Sequence, residues 1–127
     1  MPMLGADDIE QTSRITELDG LLVASLAPDL GPASLQAFSA AVMARLAATP
    51  RRAMVLDCAA VLVMDTHEFA RLVELGEMCR MLGTQPYLAA LSPGIAIHLA
   101  LTLQQTPQLR FCRDLDHARS LVQQELA

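Results

Sequence analysis

Asp57, Cys58, Asp65 and His67 are the densest group of acid, thiol and imidazole side chains in this 127-residue chain. A metal centre needs ligands at characteristic spacing. These four contain no paired His or Cys motif, so no metal and no cofactor is expected. Asp65 and His67 lie two apart at a helix start, which points their side chains about 200° apart. An acid–base pair between them is therefore disfavoured. His67 reads as an exposed first-turn residue, His98 as a packed or rim histidine in an apolar helix, and His117 as a solvated one. Cys79 falls near the buried stripe of a helix, where burial keeps a thiol protonated and inert. The chain has no lysine, which excludes a phosphate-loop lysine and a Schiff base. Its six glycines are scattered and no serine sits in a G-x-S-x-G elbow. The expectation is a protein that is not an enzyme.

Thr66 is the more informative side chain. The run Asp65-Thr66-His67-Glu68 has a carboxylate cap with Glu three residues on, the pattern of a helix start. First-turn N–H groups lack partners inside a helix and the dipole is positive there. A phosphate on Thr66 would find donors close by. It would also add about −1.5 to −2 charge beside Asp65 and Glu68, changing the field that a partner meets. The plainer alternative is that Thr66 only assists the cap, for which Ser, Thr and Asp are the usual residues.

The surrounding elements follow from period and punctuation. Arg14–Leu18 and Leu21–Leu26 flank Asp19-Gly20, a tight-hairpin signal. Gly31-Pro32 opens a helix running to about Thr49, with Leu35, Phe38, Val42 and Leu46 as its apolar stripe. Ala53–Cys58 reads as a buried strand with Asp57 near its end. Ala59–Met64 is an apolar connection, with some of Val61, Leu62 and Val63 expected at the surface. The second helix begins at Asp65 and carries Phe69, Leu72, Val73, Gly76 and Cys79 or Arg80, with Gly83 as its stop. Pro86–Leu91 is the next strand. Ser92-Pro93-Gly94 opens a helix with stripe Ile95, Leu99 and Leu103. Arg110–Arg113 is a short strand, and Asp114 caps a last helix bearing Leu115, Ala118, Leu121 and Val122.

The resulting order is ββαβαβαβα. It predicts an α/β domain with a mostly parallel sheet, an N-terminal antiparallel hairpin strand and about four helices. Functional residues of such sheets gather where strands end and helices begin. Asp57, Asp65, Thr66 and His67 fall at one such junction and Ser92, Pro93 and Gly94 at the next.

Composition limits the partners. The net charge of −5 argues against binding nucleic acid through phosphate neutralisation. With 3% aromatic residues and no Trp, stacking platforms for single strands are disfavoured. A hydrophobic fraction of 53% suits one compact domain. Met1–Glu10 reads as a tail and residues 11–127 as that domain. No run approaches the roughly 18 apolar residues of a membrane span, and the start lacks a secretory pattern. Three cysteines without close pairing, Cys58, Cys79 and Cys112, read as reduced thiols of a cytoplasmic protein.

The pattern resembles the STAS domain family, named for sulfate transporters and anti-sigma-factor antagonists, from about Ile9 to Leu126. The residues that carry the likeness are Met54-Val55-Leu56-Asp57, the apolar connection, Met64-Asp65-Thr66, and Leu91-Ser92-Pro93-Gly94-Ile95-Ala96-Ile97-His98-Leu99. Within the family it is most similar to the short, STAS-only scaffold subunit of the bacterial stressosome. Two departures are Thr66, where such subunits often carry Ser, and Glu68-Phe69, where many antagonists carry Gly-Leu. The resemblance implies a non-catalytic scaffold with Thr66 as phosphoacceptor. Asp57, Asp65, His67, Glu68, Pro93 and Gly94 would form its partner-binding loops. The implied partners are a serine/threonine switch kinase, sensor STAS paralogues and further copies of the chain. A stand-alone anti-sigma-factor antagonist and an accessory subunit of a transporter stay open as alternatives.

Overall fold

Asp19 and Gly20 reverse the chain with φ of +53° and +81°, the positive values that a two-residue hairpin turn requires. They join strand β1 (Ser13–Leu18) to strand β2 (Leu21–Leu26), paired antiparallel with Leu18 opposite Leu21. Helix α1 (Pro32–Ala48) follows, then strand β3 (Ala53–Asp57) and helix α2 (Thr66–Met81). Strand β4 (Gln85–Ala89), helix α3 (Pro93–Thr102), strand β5 (Arg110–Cys112) and helix α4 (Leu115–Leu126) complete the elements among the described residues. The computed structural model describes residues 13–102 and 109–126. The expected tail Met1–Glu10 and Leu103 of the third helical stripe lie outside the described residues.

The sheet order is β1-β2-β3-β4-β5, parallel from β2 onward. Strands alternating with helices in that order make right-handed crossovers, which place α1, α2 and α3 on one face. The core agrees with this placement. Leu22, Ala24, Met54, Leu56 and Leu88 of the sheet pack with Leu35, Phe38, Val42 and Leu46 of α1, Phe69, Leu72, Leu75 and Cys79 of α2, and Ile95 and Leu99 of α3. The opposite face, with Leu21, Val23, Val55 and Tyr87, is covered by α4 through Ala118, Leu115, Leu121 and Val122. Near-continuous burial along β2, β3 and β4 is what a sheet covered on both faces demands.

Five strand boundaries differ from the sequence reading, and two of them are starts one residue earlier, at Ser13 for β1 and Gln85 for β4. The third strand ends at Asp57, one residue short of Cys58, whose N–H crosses to the Ala89 carbonyl instead (2.9 Å). The fourth strand ends at Ala89, not Leu91, because Ala90 adopts φ of +65° and turns the chain toward α3. The last strand ends at Cys112 rather than Arg113. A non-glycine residue in the left-handed region costs about 1 kcal/mol. Ala90→Gly is therefore expected to raise the unfolding free energy by roughly 1 kcal/mol in chemical denaturation. An unchanged or lower midpoint would contradict the strained assignment.

Candidate functional site

The parallel strands run β3 and β4 side by side, with Asp57 opposite Ala89. Their carboxyl ends therefore deliver Asp57 and the Ala90–Ser92 turn to the same edge of the domain. The Asp57 carboxylate accepts the Ala59 N–H (3.0 Å), closing a local turn. Val61 N–H donates to the Cys58 carbonyl (3.0 Å), and Cys58, Val61 and Met64 turn inward into the core. Leu62 and Val63 point out, 76% and 73% exposed. The apolar connection is thus divided as expected, with Val61 on the buried side.

Asp65 caps α2 in a reciprocal box. Its carboxylate accepts the Glu68 N–H (2.7 Å), and the Glu68 carboxylate accepts the Asp65 N–H (3.0 Å). Phe69 N–H makes the first helical bond, to the Asp65 carbonyl (3.0 Å). Asp65 and Glu68 thereby carry the cap between them, leaving Thr66 as the first helical residue with an exposed side chain. His67 is exposed beside it. Neither Asp65 nor Glu68 bonds to His67: both are committed to the cap.

The second junction is built in the same way. Ser92 Oγ accepts the Ile95 N–H (3.3 Å), and the Ser92 carbonyl accepts the Ala96 N–H (2.9 Å). Pro93 and Gly94 occupy the exposed first turn of α3. Elements β3–α2 and β4–α3 thus bring Asp57, Asp65, Thr66, His67, Glu68, Pro93 and Gly94 to one end of the domain.

Burial pushes the Cys58 thiol up to about 12, with the Asp57 charge as a second cause, and the Cys79 thiol up to about 11. Such thiols are not nucleophiles at neutral pH. Among the described residues no three His, Cys, Asp or Glu side chains are grouped to hold a metal ion. His98 is exposed rather than packed. His117 is half-buried and not simply solvated: its Nδ1 accepts the Arg113 N–H (3.0 Å) while its own N–H donates to the Asp114 carboxylate (2.8 Å). That cap geometry draws the ring back over the start of α4.

Two features of the domain had no sequence signal, the first of them near the junction. Phe69 stacks on Phe111 of β5, with ring centroids 6.3 Å apart and planes 14° from parallel. Tyr87, buried in the second core, donates its hydroxyl to Glu125 (2.8 Å), and Glu125 pairs with Arg110. Each joins residues distant in the chain, so no local spacing announces it.

The model of the STAS domain family matches residues 12–115, and the chain belongs to that family. The fold that its described residues form, a five-stranded mixed sheet with four helices, superposes on solved structures. A variant of RsbS from Moorella thermoacetica superposes with a TM-score of 0.76 at 19% identity, over 88% of this chain and 95% of that one. An anti-sigma factor antagonist from Mycobacterium paratuberculosis gives 0.73 at 22%, over 88% and 93%. The murine Slc26a9 anion transporter gives 0.70 at 16%, over 87% of this chain and 19% of the transporter. None of the curated protein sequences matches the chain. No helix among the described residues is long and apolar enough to cross a membrane.

Proposed function

We propose that this chain is a non-catalytic, cytoplasmic STAS scaffold whose phosphorylation at Thr66 controls the binding of a serine/threonine switch kinase. The complex it forms is stressosome-like and includes sensor STAS paralogues and further copies of the chain. The observation that carries this reading is the division of labour at the start of α2. Asp65 and Glu68 make the cap, and Thr66 is exposed one residue inside it. A residue needed only for capping would occupy the cap position itself. The likeness to RsbS and to anti-sigma factor antagonists supports the regulatory class.

The chemistry is electrostatic. A phosphate at Thr66 lies beside first-turn N–H groups that have no acceptor inside the helix. The same dianion joins an exposed stretch that also holds Leu62, Val63 and Asp65. At a packed interface it brings desolvation and like-charge repulsion. Asp57, Asp65, His67, Glu68, Pro93 and Gly94 are the partner-binding rim in this reading.

Phosphopeptide mapping after incubation with the switch kinase is expected to place the label on Thr66. Thr66→Ala should abolish the label while leaving the circular dichroism spectrum intact. Thr66→Asp should weaken the kinase complex at least tenfold, about 1.4 kcal/mol. A label on another residue would overturn the site. The stand-alone antagonist reading, which the Mycobacterium paratuberculosis likeness favours, predicts no large particle with co-expressed paralogues. Light scattering separates the two: a particle of megadalton order supports the scaffold. Co-purification with a transport protein would instead favour the accessory-subunit reading, in line with the transporter likeness.

A further inference from the structure

Leu62 and Val63 are left without a role by the phosphorylation reading. Val61 and Met64 on either side of them are buried in the core. The Val61 N–H is tied back to the Cys58 carbonyl (3.0 Å), and the Asp65 cap fixes the far end of the loop. The pair between these anchors is therefore held outward. Ala59 and Ala60, also exposed, extend a stretch with no charge between Asp57 and Asp65. A single exposed aliphatic residue needs no explanation. An adjacent pair, fixed in a charge-free loop, marks a contact.

We propose that Leu62 and Val63 are the docking residues for the kinase that phosphorylates Thr66, whose matching surface is an apolar cleft. The inference rests on the phosphorylation reading and deepens it. Geometry selects the occupant. Phosphoryl transfer brings the acceptor oxygen to within about 3–3.5 Å of the transferred group. An enzyme seated that closely on Thr66 covers about 800 Å² of the domain, a disc about 16 Å in radius. Leu62 and Val63 stand four and three residues before Thr66. Even a fully extended chain keeps their Cα atoms within about 15 Å of its own. Both fall inside that footprint.

The nearby acids do not offer the same contact. The Asp57, Asp65 and Glu68 carboxylates each already accept a backbone N–H, whereas Leu62 and Val63 have only water to lose. Covering the pair stabilises the bound ground state and the transition state alike. Its contribution therefore falls on KM and leaves kcat alone. A role confined to placing the Thr66 hydroxyl would do the reverse.

Steady-state labelling of the full chain by the purified serine/threonine switch kinase and ATP tests it. Leu62→Asp and Val63→Asp should each raise the KM for the chain about tenfold, with kcat and the circular dichroism spectrum unchanged. Leu62→Ala and Val63→Ala should act in the same direction and less strongly. Met81→Asp is the matched control. Met81 is 85% exposed at the other end of α2, about 22 Å from Thr66 by helix rise and outside the footprint. Its KM should equal that of the parent chain. A KM indifferent to both aspartate substitutions would overturn the docking assignment and leave Thr66 as the acceptor. So would a fall in kcat at constant KM, or an equal effect of Met81→Asp. Variants that label normally yet drop out of the particle formed with paralogues would give the pair to a contact between STAS domains, and overturn it too. A parent chain that takes no label would remove the phosphorylation reading itself, and the inference with it.

Discussion

Phe69→Ala is expected to lower the unfolding free energy by about 3–5 kcal/mol, the range for truncating a buried aromatic. Phe69 is 1% exposed in the first turn of α2, four residues after the cap and three after Thr66. Its ring fills the space beneath the junction with the core residues of α1 and the sheet, and stacks on Phe111. The loss therefore combines lost transfer energy, a cavity and one aromatic pair. Domains of this size are stable by about 5–15 kcal/mol, so the melting temperature should fall by about 10–20 °C. Phe111→Ala is the matched control. Phe111 is 47% exposed, so its truncation removes the stack with little cavity and should cost about 1 kcal/mol. A Phe69→Ala loss no larger than that of Phe111→Ala would contradict the packing described for the junction.

Alkaline pH is expected to destabilise the domain well before arginine titrates. Burial holds the Cys58 thiol at about 12 and the Cys79 thiol at about 11, against an ordinary 9.0. Burial also raises Cys112. It raises Tyr87 to about 12 from 10.0, with the hydrogen bond to Glu125 as the next cause. All four groups are neutral when protonated, and the fold favours that form. Their stabilising contribution is complete below the unfolded values. It is lost as pH rises from about 9 toward the folded values, because the unfolded chain releases protons first. Each unit of difference corresponds to about 1.4 kcal/mol. By pH 11 the two inner thiols together are expected to have removed roughly 4–5 kcal/mol, a large part of the total. Thermal melts between pH 8 and 11 should show a steep fall, and the Cys58→Ala, Cys79→Ala double variant a shallower one. A flat profile for the parent chain would mean that these thiols meet water in the folded state.

Much of the architecture was legible in the residues because local rules and tertiary needs agree. Asp19-Gly20 favours a tight hairpin, and it forms one. The stripe Leu35, Phe38, Val42, Leu46 is the buried face of α1. The pairing of Asp65 with Glu68 three residues on gave the start of α2 and its cap. Burial along β2 to β4 matches their nearly continuous apolar runs, the mark of parallel strands covered on both faces.

What sequence left open was decided by packing between distant segments. Leu91 reads as a continuation of the fourth strand, yet the chain turns at Ala90, whose N–H donates to the Cys112 carbonyl (3.1 Å) of a strand twenty-two residues on. His117 is a local exception: it reads as solvated, and the N–H of Arg113, four residues back, fixes its ring. Gly76 reads as one position of an apolar stripe. In the fold, a side chain there would meet Leu109 Cδ2 at 2.7 Å, so the Leu109 side chain would have to shift to admit one.

The same contrast holds at the candidate site. Residue types and spacing alone determined that Asp65 opens a helix with Thr66 in its first turn, because capping is a local exchange between neighbours. Only the tertiary structure decided that Cys58, Val61 and Met64 turn inward while Leu62 and Val63 stay out, and that Phe111 supports Phe69. Those outcomes depend on which surfaces the sheet brings together, and a periodicity read along one segment carries no information about the segment it will meet.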